Sequence, residues 1–257
     1  MKHPGNAWTL VWDTPGVRAA MTTRQGGVSH PPYDSLNLGT HVGDDPPAVR
    51  SNRQQVGQGL SVRPVWLNQV HGAEVRWLED DSPDDLVADG VCTQSRGLAC
   101  TILVADCLPV LLADAQGRAV AAAHAGWRGL AGQGGRGILD NTVHALRERL
   151  TPQAELRAWL GPCIGPHVFE VGPEVLDAFA DNGFDTEGLS RPYPGRDGKW
   201  LLDLAGLARQ RLARLGVSAI QGNDGHADWC TVSNPSRWFS HRRDRVSGRL
   251  AALIWRT

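Results

Sequence analysis

The sequence lacks the features that would direct it to a membrane or out of the cell. Its opening stretch, MKHPGNAWTLVWD, has no charged start, apolar segment of about 7–15 residues or small-residue cleavage site, the pattern of a secretory leader. No run approaches the roughly 18 apolar residues of a membrane span. A bias of charge is absent too: 26 Lys+Arg against 27 Asp+Glu leave a net charge of -1. That balance gives no general attraction for polyanions, so neither duplex nucleic acid nor an anionic membrane is an expected partner. The expected location is the cytoplasm. No cysteine belongs to a C-x-x-C pair, and the five present (Cys92, Cys100, Cys107, Cys163, Cys230) are an odd number. A disulfide framework and a short-loop zinc finger are thereby disfavoured. Low-complexity tracts, internal repeats and long linkers are also missing, which makes one catalytic domain over residues 1–257 the simplest organisation.

What is present alternates irregularly between strand-like and helix-like segments, as in an α/β (α+β) domain of layered mixed sheets with flanking helices. VRAAMTT (17–23) reads as a strand closed by the turn RQGGVS. DPPAVRSNRQQVGQGL (45–60) starts with an Asp cap and prolines, the signature of a helix N-terminus. PVWLNQVHG (64–72) and AEVRWLED (73–80) suggest a bent strand or a hairpin turning at His71-Gly72. LACTILVADCLPVLLAD (98–114) is too long for one ordinary strand, and reads as two buried strands or as one strand broken by a bulge at Asp106-Cys107. AVAAAHAGW (119–127) is its expected partner strand. Helical spacing recurs in 138–150 and 202–216, and RLAALIWR (249–256) reads as a terminal strand.

Candidate metal ligands stand at the breaks between these segments. His71 lies at a glycine turn, Cys107 at a proline-flanked break in an apolar run, and His124 at the end of a strand before glycine. Sparse ligands from separate elements suit a catalytic site, in which three protein ligands leave a fourth position for water or substrate. After His124 the chain runs AGWRGLAGQGGRG before a helix, and such a glycine-rich connection presents backbone N–H groups to anions such as phosphate. It matches neither a nucleoside-triphosphate loop nor a dinucleotide fingerprint.

In order along the chain, SLNLGTHVGDDPPAVRSNR (35–53), NQVHGAEV (68–75), ADCLPVLL (105–112), HAGWRGL (124–130), GPCIGPHVFEVG (161–172) and FSHRRDRVSGRLAALIW (239–255) resemble the signature blocks of one bacterial family. That family carries the names multicopper polyphenol oxidase or laccase, purine nucleoside phosphorylase and peptidoglycan editing factor. The resemblance implies zinc held by His71, Cys107 and His124, and a compact α/β fold similar to a toxin family of cysteine hydrolases. It implies phosphorolysis of adenosine, inosine and methylthioadenosine, and deamination of adenosine. One departure stands out: about four extra residues within AGQGGRG, which bear on where the helix starts and on any phosphate role of Arg136.

The residues themselves weigh these activities differently. A multicopper oxidase needs clustered histidines, yet no H-x-H pair occurs, and Met1 and Met21 supply poorly placed thioethers for a blue-copper centre. A His₂Cys set suits zinc better, although Cu²⁺ competes well for such ligands. For proton transfer, Asp106, Glu170 and Glu74 are alternatives. Phosphate contacts are expected from Arg128, Arg243 or the glycine-rich turn, because an Arg fork suits that anion. SHRRDR (240–245) reads as strand, with Arg243 rather than Arg242 entering the pocket. Arg24 and Gln69, near predicted turns, are further candidates for substrate contact. His41 is a candidate for substrate contact and the nearest one for a fourth ligand. A metal-free reading makes Cys107 the nucleophile and His124 its base in a hydrolase of peptidoglycan precursors. A third reading is a binding protein with a structural zinc site. The expected partners are a purine nucleoside and phosphate, with the chain a monomer or small homo-oligomer.

Overall fold

The computed structural model describes residues 7–10, 12–217 and 219–257. The opening residues 1–6, on which the expectation of no leader partly rests, lie outside the described residues. Strands and helices are numbered along the chain. One sheet has the order β1 (Ala7–Leu10), β2 (Val17–Thr22), β16 (Leu250–Arg256), β8 (Leu98–Val104), β3 (Arg63–Val65). A larger one runs β15 (Ala219–Gly222), β11 (Leu156–Leu160), β9 (Leu108–Asp114), β10 (Val120–Ala125), β7 (Gly90–Thr93), β5 (Val75–Leu78). Two small sheets pair β12 (Glu170–Val171) and β13 (Ser190–Pro192) with β14 (Trp200–Leu202), and β4 (Leu67–Asn68) with β6 (Leu86–Val87).

Side-chain alternation assembles the layers, since successive strand residues face opposite sides of a sheet. In β8, Leu98, Cys100, Ile102 and Val104 face the larger sheet, meeting Leu111 and Ala113 of β9 and Val120 and Ala122 of β10. The opposite face of β8 and β16, with Leu103, Ala251 and Leu253, packs on Val56 of helix α1 (Pro46–Leu60). Leu108, Val110 and Leu112 of β9, with Ala121, Ala123 and Ala125 of β10, face the helices α3 (Ile138–Arg149), α4 (Pro173–Asp181) and α5 (Leu204–Arg214). The result is helix, sheet, sheet and helix in successive layers. β10 is buried along its whole length on both faces, and its alanines let both neighbouring layers approach closely.

The helix starts follow the sequence signals. Asp45 caps α1, its carboxylate accepting from the Ala48 N–H at 3.1 Å, with Pro46 in the first turn. Asp203 caps α5 in the same way through the Gly206 N–H at 2.8 Å.

Three expectations need correction or resolution. The segment 98–114 is two strands, but they belong to different sheets: Ala105, Asp106 and Cys107 carry the chain across the sandwich from β8 to β9. The non-glycine φ of +90° at Asp106 makes that sharp crossing. No hairpin turns at His71-Gly72. β4 pairs with β6 and β5 with β7, both parallel, so the loop between β4 and β5 joins separate sheets. SHRRDR is not a strand; His241–Asp244 form a short helix α6, capped by the Ser240 hydroxyl accepting from the Arg243 N–H. The local cap outweighs the strand-like look of the segment.

Candidate functional site

The ends of the strands bring the candidate ligands together. In the antiparallel pair of β9 and β10, His124 lies opposite Pro109 and Ala125 opposite Leu108, so Cys107, one residue before β9, comes alongside the end of β10. His124 follows Val120 and Ala122 in alternation, which directs its ring into the gap between the sheets. His71 reaches the same place from the loop before β5, with φ +61°. The ligand atoms of His71, Cys107 and His124 all lie within 4.8 Å of one another. Cys107 Sγ is 3.8 Å from His71 Nε2.

A residue that the sequence reading missed holds this arrangement. Asp89, wholly buried just before β7, meets His124 Nδ1 through Oδ1 at 2.8 Å. Its carboxylate also accepts the N–H groups of Val70 (3.2 Å), His71 (2.9 Å) and Gly72 (2.7 Å). One carboxylate thus orients the His124 ring, leaving Nε2 free to ligate, and closes the loop that carries His71. Burial raises the Asp89 carboxyl, but the hydrogen bond from His124 and those from Gly72 and Val70 outweigh it and hold it below the usual carboxylate range. Gln69 ties the same loop to β8, its amide accepting from the Leu103 N–H at 2.7 Å and donating to the Leu103 carbonyl at 2.9 Å.

Gly126 keeps the triad open. A Cβ at this position would lie 3.1 Å from Cys107 Sγ and 3.1 Å from His71 Cδ2. Gly129 serves packing instead, for a Cβ there would meet the Gly72 carbonyl at 2.5 Å, and helix α2 (Trp127–Ala131) rests directly on the His71 loop. Burial raises the Cys107 thiol, yet the charge and hydrogen bond of His124 and the hydrogen bond of His71 bring it down to about 6. His124 is lowered by burial, but Cys107 and Asp89 lift it to about 9. The two shifts oppose each other in direction and favour a thiolate beside an imidazolium when no metal is bound.

Two imidazoles and a thiolate around a space that a single Cβ would fill, with a carboxylate fixing one ring, fit a metal ion. Among the described residues this is the one cluster of His, Cys, Asp or Glu able to do so.

The triad forms one wall of a cavity of ≈ 360 Å³. Leu67, Ile164, Phe169, Trp127 and Leu204 supply apolar walls, and Arg128, Arg242, Arg245, Arg249, His41 and His241 supply cationic or imidazole groups. Asp106 is the sole carboxylate of the lining, and both its oxygens are taken, by the Thr231 hydroxyl and the Arg242 N–H, each at 2.6 Å. His41 is lowered by burial and by the nearby Arg249, Arg53 and His71 charges. It lines the cavity but is not among the clustered ligands.

Other candidates stand elsewhere. Arg243 donates to the carbonyls of Thr231, Val232 and Trp238 and pairs with Asp244 at 2.7 Å, so its guanidinium is structural. Arg242, the residue rejected on the strand reading, lines the cavity. Glu170 pairs with Arg196 at 2.7 Å outside the lining. Arg24 binds the Asp34 and Pro235 carbonyls beside a separate cleft. Arg136 is also absent from the lining.

A family model described as multi-copper polyphenol oxidoreductase laccase matches residues 18–257. The chain belongs to this family. It is 48% identical over 253 residues to purine nucleoside phosphorylase PA4543 of Pseudomonas aeruginosa, covering 97% of this chain and 98% of that protein. It is 45% identical over 247 residues to purine nucleoside phosphorylase YfiH of Escherichia coli, covering 95% and 96% of the two chains. The crystal structure of Neisseria meningitidis protein NMB0706 superimposes with a TM-score of 0.87 at 44% identity, covering 98% of this chain and 99% of that one. The family's copper name sits uneasily with one three-ligand cluster among the described residues, since a multicopper centre needs several. Among the described residues no helix is long and apolar enough to cross a membrane.

Proposed function

We propose that this chain is a purine nucleoside phosphorylase whose His71, Cys107 and His124 hold a zinc ion. The observation that carries the reading is the cavity beside the triad: four arginines face one carboxylate that is already hydrogen-bonded. In a protein of net charge -1, so local an excess of positive charge suits an anionic co-substrate, and phosphate is the one phosphorolysis requires.

In that reaction a phosphate oxygen bonds to the sugar C1′ while the C1′–N9 bond breaks. The electron pair leaves with the purine, which takes up a proton, and the products are pentose 1-phosphate and free base. Guanidinium groups of the lining that no backbone carbonyl engages hold and orient the phosphate and oppose its charge repulsion with any developing negative charge on the base. Phe169 and Trp127 offer aromatic faces for a purine, with Leu67, Ile164 and Leu204 excluding water around it. His71, Cys107 and His124 would hold the zinc ion, which would supply Lewis-acid polarisation of an oxygen, and Cu²⁺ would compete for the same donors. Adenosine, inosine and methylthioadenosine are the substrates we propose.

Adenosine deamination is a second reading, favoured by a triad of the type zinc deaminases use. Its proton shuttle would be Asp106, the carboxylate of the lining. A metal-free hydrolase is favoured only by the depressed Cys107 thiol.

One experiment separates them: metal-defined protein is incubated with adenosine, with and without phosphate, and the products are resolved. Adenine that forms only with phosphate is the expected result. Inosine without phosphate assigns deamination instead. Activity that survives chelation and disappears on alkylation of Cys107 overturns the metal in favour of the hydrolase.

A further inference from the structure

The four arginines of the cavity are not equivalent. Arg249 donates to the carbonyls of Ser247 and Gly248 at 2.9 and 3.1 Å, and Arg242 donates to the Glu170 carbonyl at 3.1 Å. These two guanidinium groups brace the cavity wall. Arg128 and Arg245 also line the cavity, and among the described residues neither guanidinium has a hydrogen-bond or ion-pair partner; Arg128 rests only against the Trp127 ring.

The backbone at Arg245 carries the second observation. Its φ of 63° and ψ of -56° belong to a three-residue γ-turn, closed by the Val246 N–H donating to the Asp244 carbonyl at 2.7 Å. This hand of γ-turn is rare and strained for a residue bearing Cβ, and glycine would adopt it more easily. The neighbouring acid, Asp244, is already engaged by Arg243 through two contacts of 2.8 and 2.7 Å, so it does not neutralise Arg245. An arginine kept in a glycine-like turn, with no protein partner and on the wall of a cationic cavity, points to a ligand rather than to packing.

We infer that Arg245, together with Arg128, forms the subsite for a tetrahedral oxyanion, and, resting on the phosphorylase reading, that this anion is inorganic phosphate. Arg242 and Arg249 shape the wall behind it, and the glycine-rich turn with Arg136 takes no part.

The test compares Arg245→Gly, Arg245→Lys, Arg128→Gln and Arg136→Gln with the unaltered protein. It uses calorimetric titration with inorganic phosphate and steady-state kinetics at varied phosphate and nucleoside. Arg245→Gly should weaken phosphate binding and raise the KM for phosphate at least tenfold, leave the KM for nucleoside within twofold, and hold or raise the thermal midpoint because the turn is relieved. Arg128→Gln should act in the same direction, Arg245→Lys should recover part of the loss, and Arg136→Gln should change nothing. An Arg245→Gly protein that binds phosphate within twofold of the parent overturns the inference. So does a parent that binds no phosphate. If the parent binds phosphate through Arg245 but releases no pentose 1-phosphate, the anion subsite stands and the phosphorylase reading falls.

Discussion

The two sides of the cavity are built on opposite principles. On the metal-facing side, His124 and Asp89 are buried, sit at strand ends between two sheets, and satisfy one another and the loop carrying His71. On the cationic side, Arg128 and Arg245 are exposed, sit on a short helix and a γ-turn, and their guanidinium groups have no hydrogen-bond or ion-pair partner among the described residues. Ligand geometry tolerates little error, so it is placed where packing and hydrogen bonds over-determine it. On the proposed reading a phosphate must enter and leave, which suits partners left in contact with water. Lost ligand geometry should therefore disable the metal, whereas lost rim charge should weaken only the anion.

The largest break comes from the ligands. Cys107→Ala or His124→Ala should abolish stoichiometric metal in mass spectrometry of the native protein. It should cost several kcal/mol of transition-state stabilisation, more than about 10³-fold in kcat/KM, by removing the Lewis acid. Retained activity in either variant would show that the two sides are not coupled through a metal. Next comes Asp89→Ala. Metal affinity should fall roughly 10–100-fold, as when the partner of a ligating histidine is lost. Each buried N–H left without its acceptor should cost about 1–3 kcal/mol of stability, read by urea unfolding of chelated protein.

Gly126→Ala sharpens the comparison further, because its added Cβ meets Cys107 Sγ and His71 Cδ2 at 3.1 Å and touches no rim arginine. Metal affinity should drop while phosphate binding stays within twofold. A subtler effect is one of pH in chelated protein. Cys107 sits below its ordinary value, so its contribution is complete above the ordinary thiol pKa and lost as pH falls through about 6. His124 sits above its ordinary value, so its contribution is complete below the ordinary imidazole pKa and lost as pH rises through about 9. Alkylation of Cys107 should accordingly rise with a midpoint near 6, well below that of a free thiol. A midpoint in the ordinary thiol range would show that His124 does not hold the thiolate.

The three candidate ligands were marked in the sequence because they interrupt regular patterns, and the family resemblance joined them into one set. His71 directly precedes Gly72, His124 stands two residues before Gly126, and Cys107 breaks an apolar run two residues before Pro109. The cap of α1 and the alternation in β8, β9, β10 and β16 are local properties, and each stands where its pattern indicates. The failures were of another kind. SHRRDR has the composition of an exposed strand, and only its Ser240 cap and its place against Asp106 make it a helix, exchanging Arg243 for Arg242 at the cavity. Glu170, in a block of the family pattern, is held by Arg196, and Arg24, beside a predicted turn, by the Asp34 and Pro235 carbonyls.

By itself, then, the sequence indicated most of the strands and helices, a balanced net charge and three candidate ligands at breaks between elements. These follow from periodicity, caps and composition, which act over a few residues. Only the tertiary structure decided that 98–114 crosses between two sheets and that Asp89 serves two histidines 18 and 35 positions away. It also decided which two of the four arginines have no hydrogen-bond or ion-pair partner among the described residues. Such facts depend on which backbone groups meet after the layers have packed, and no local pattern in the chain encodes those meetings.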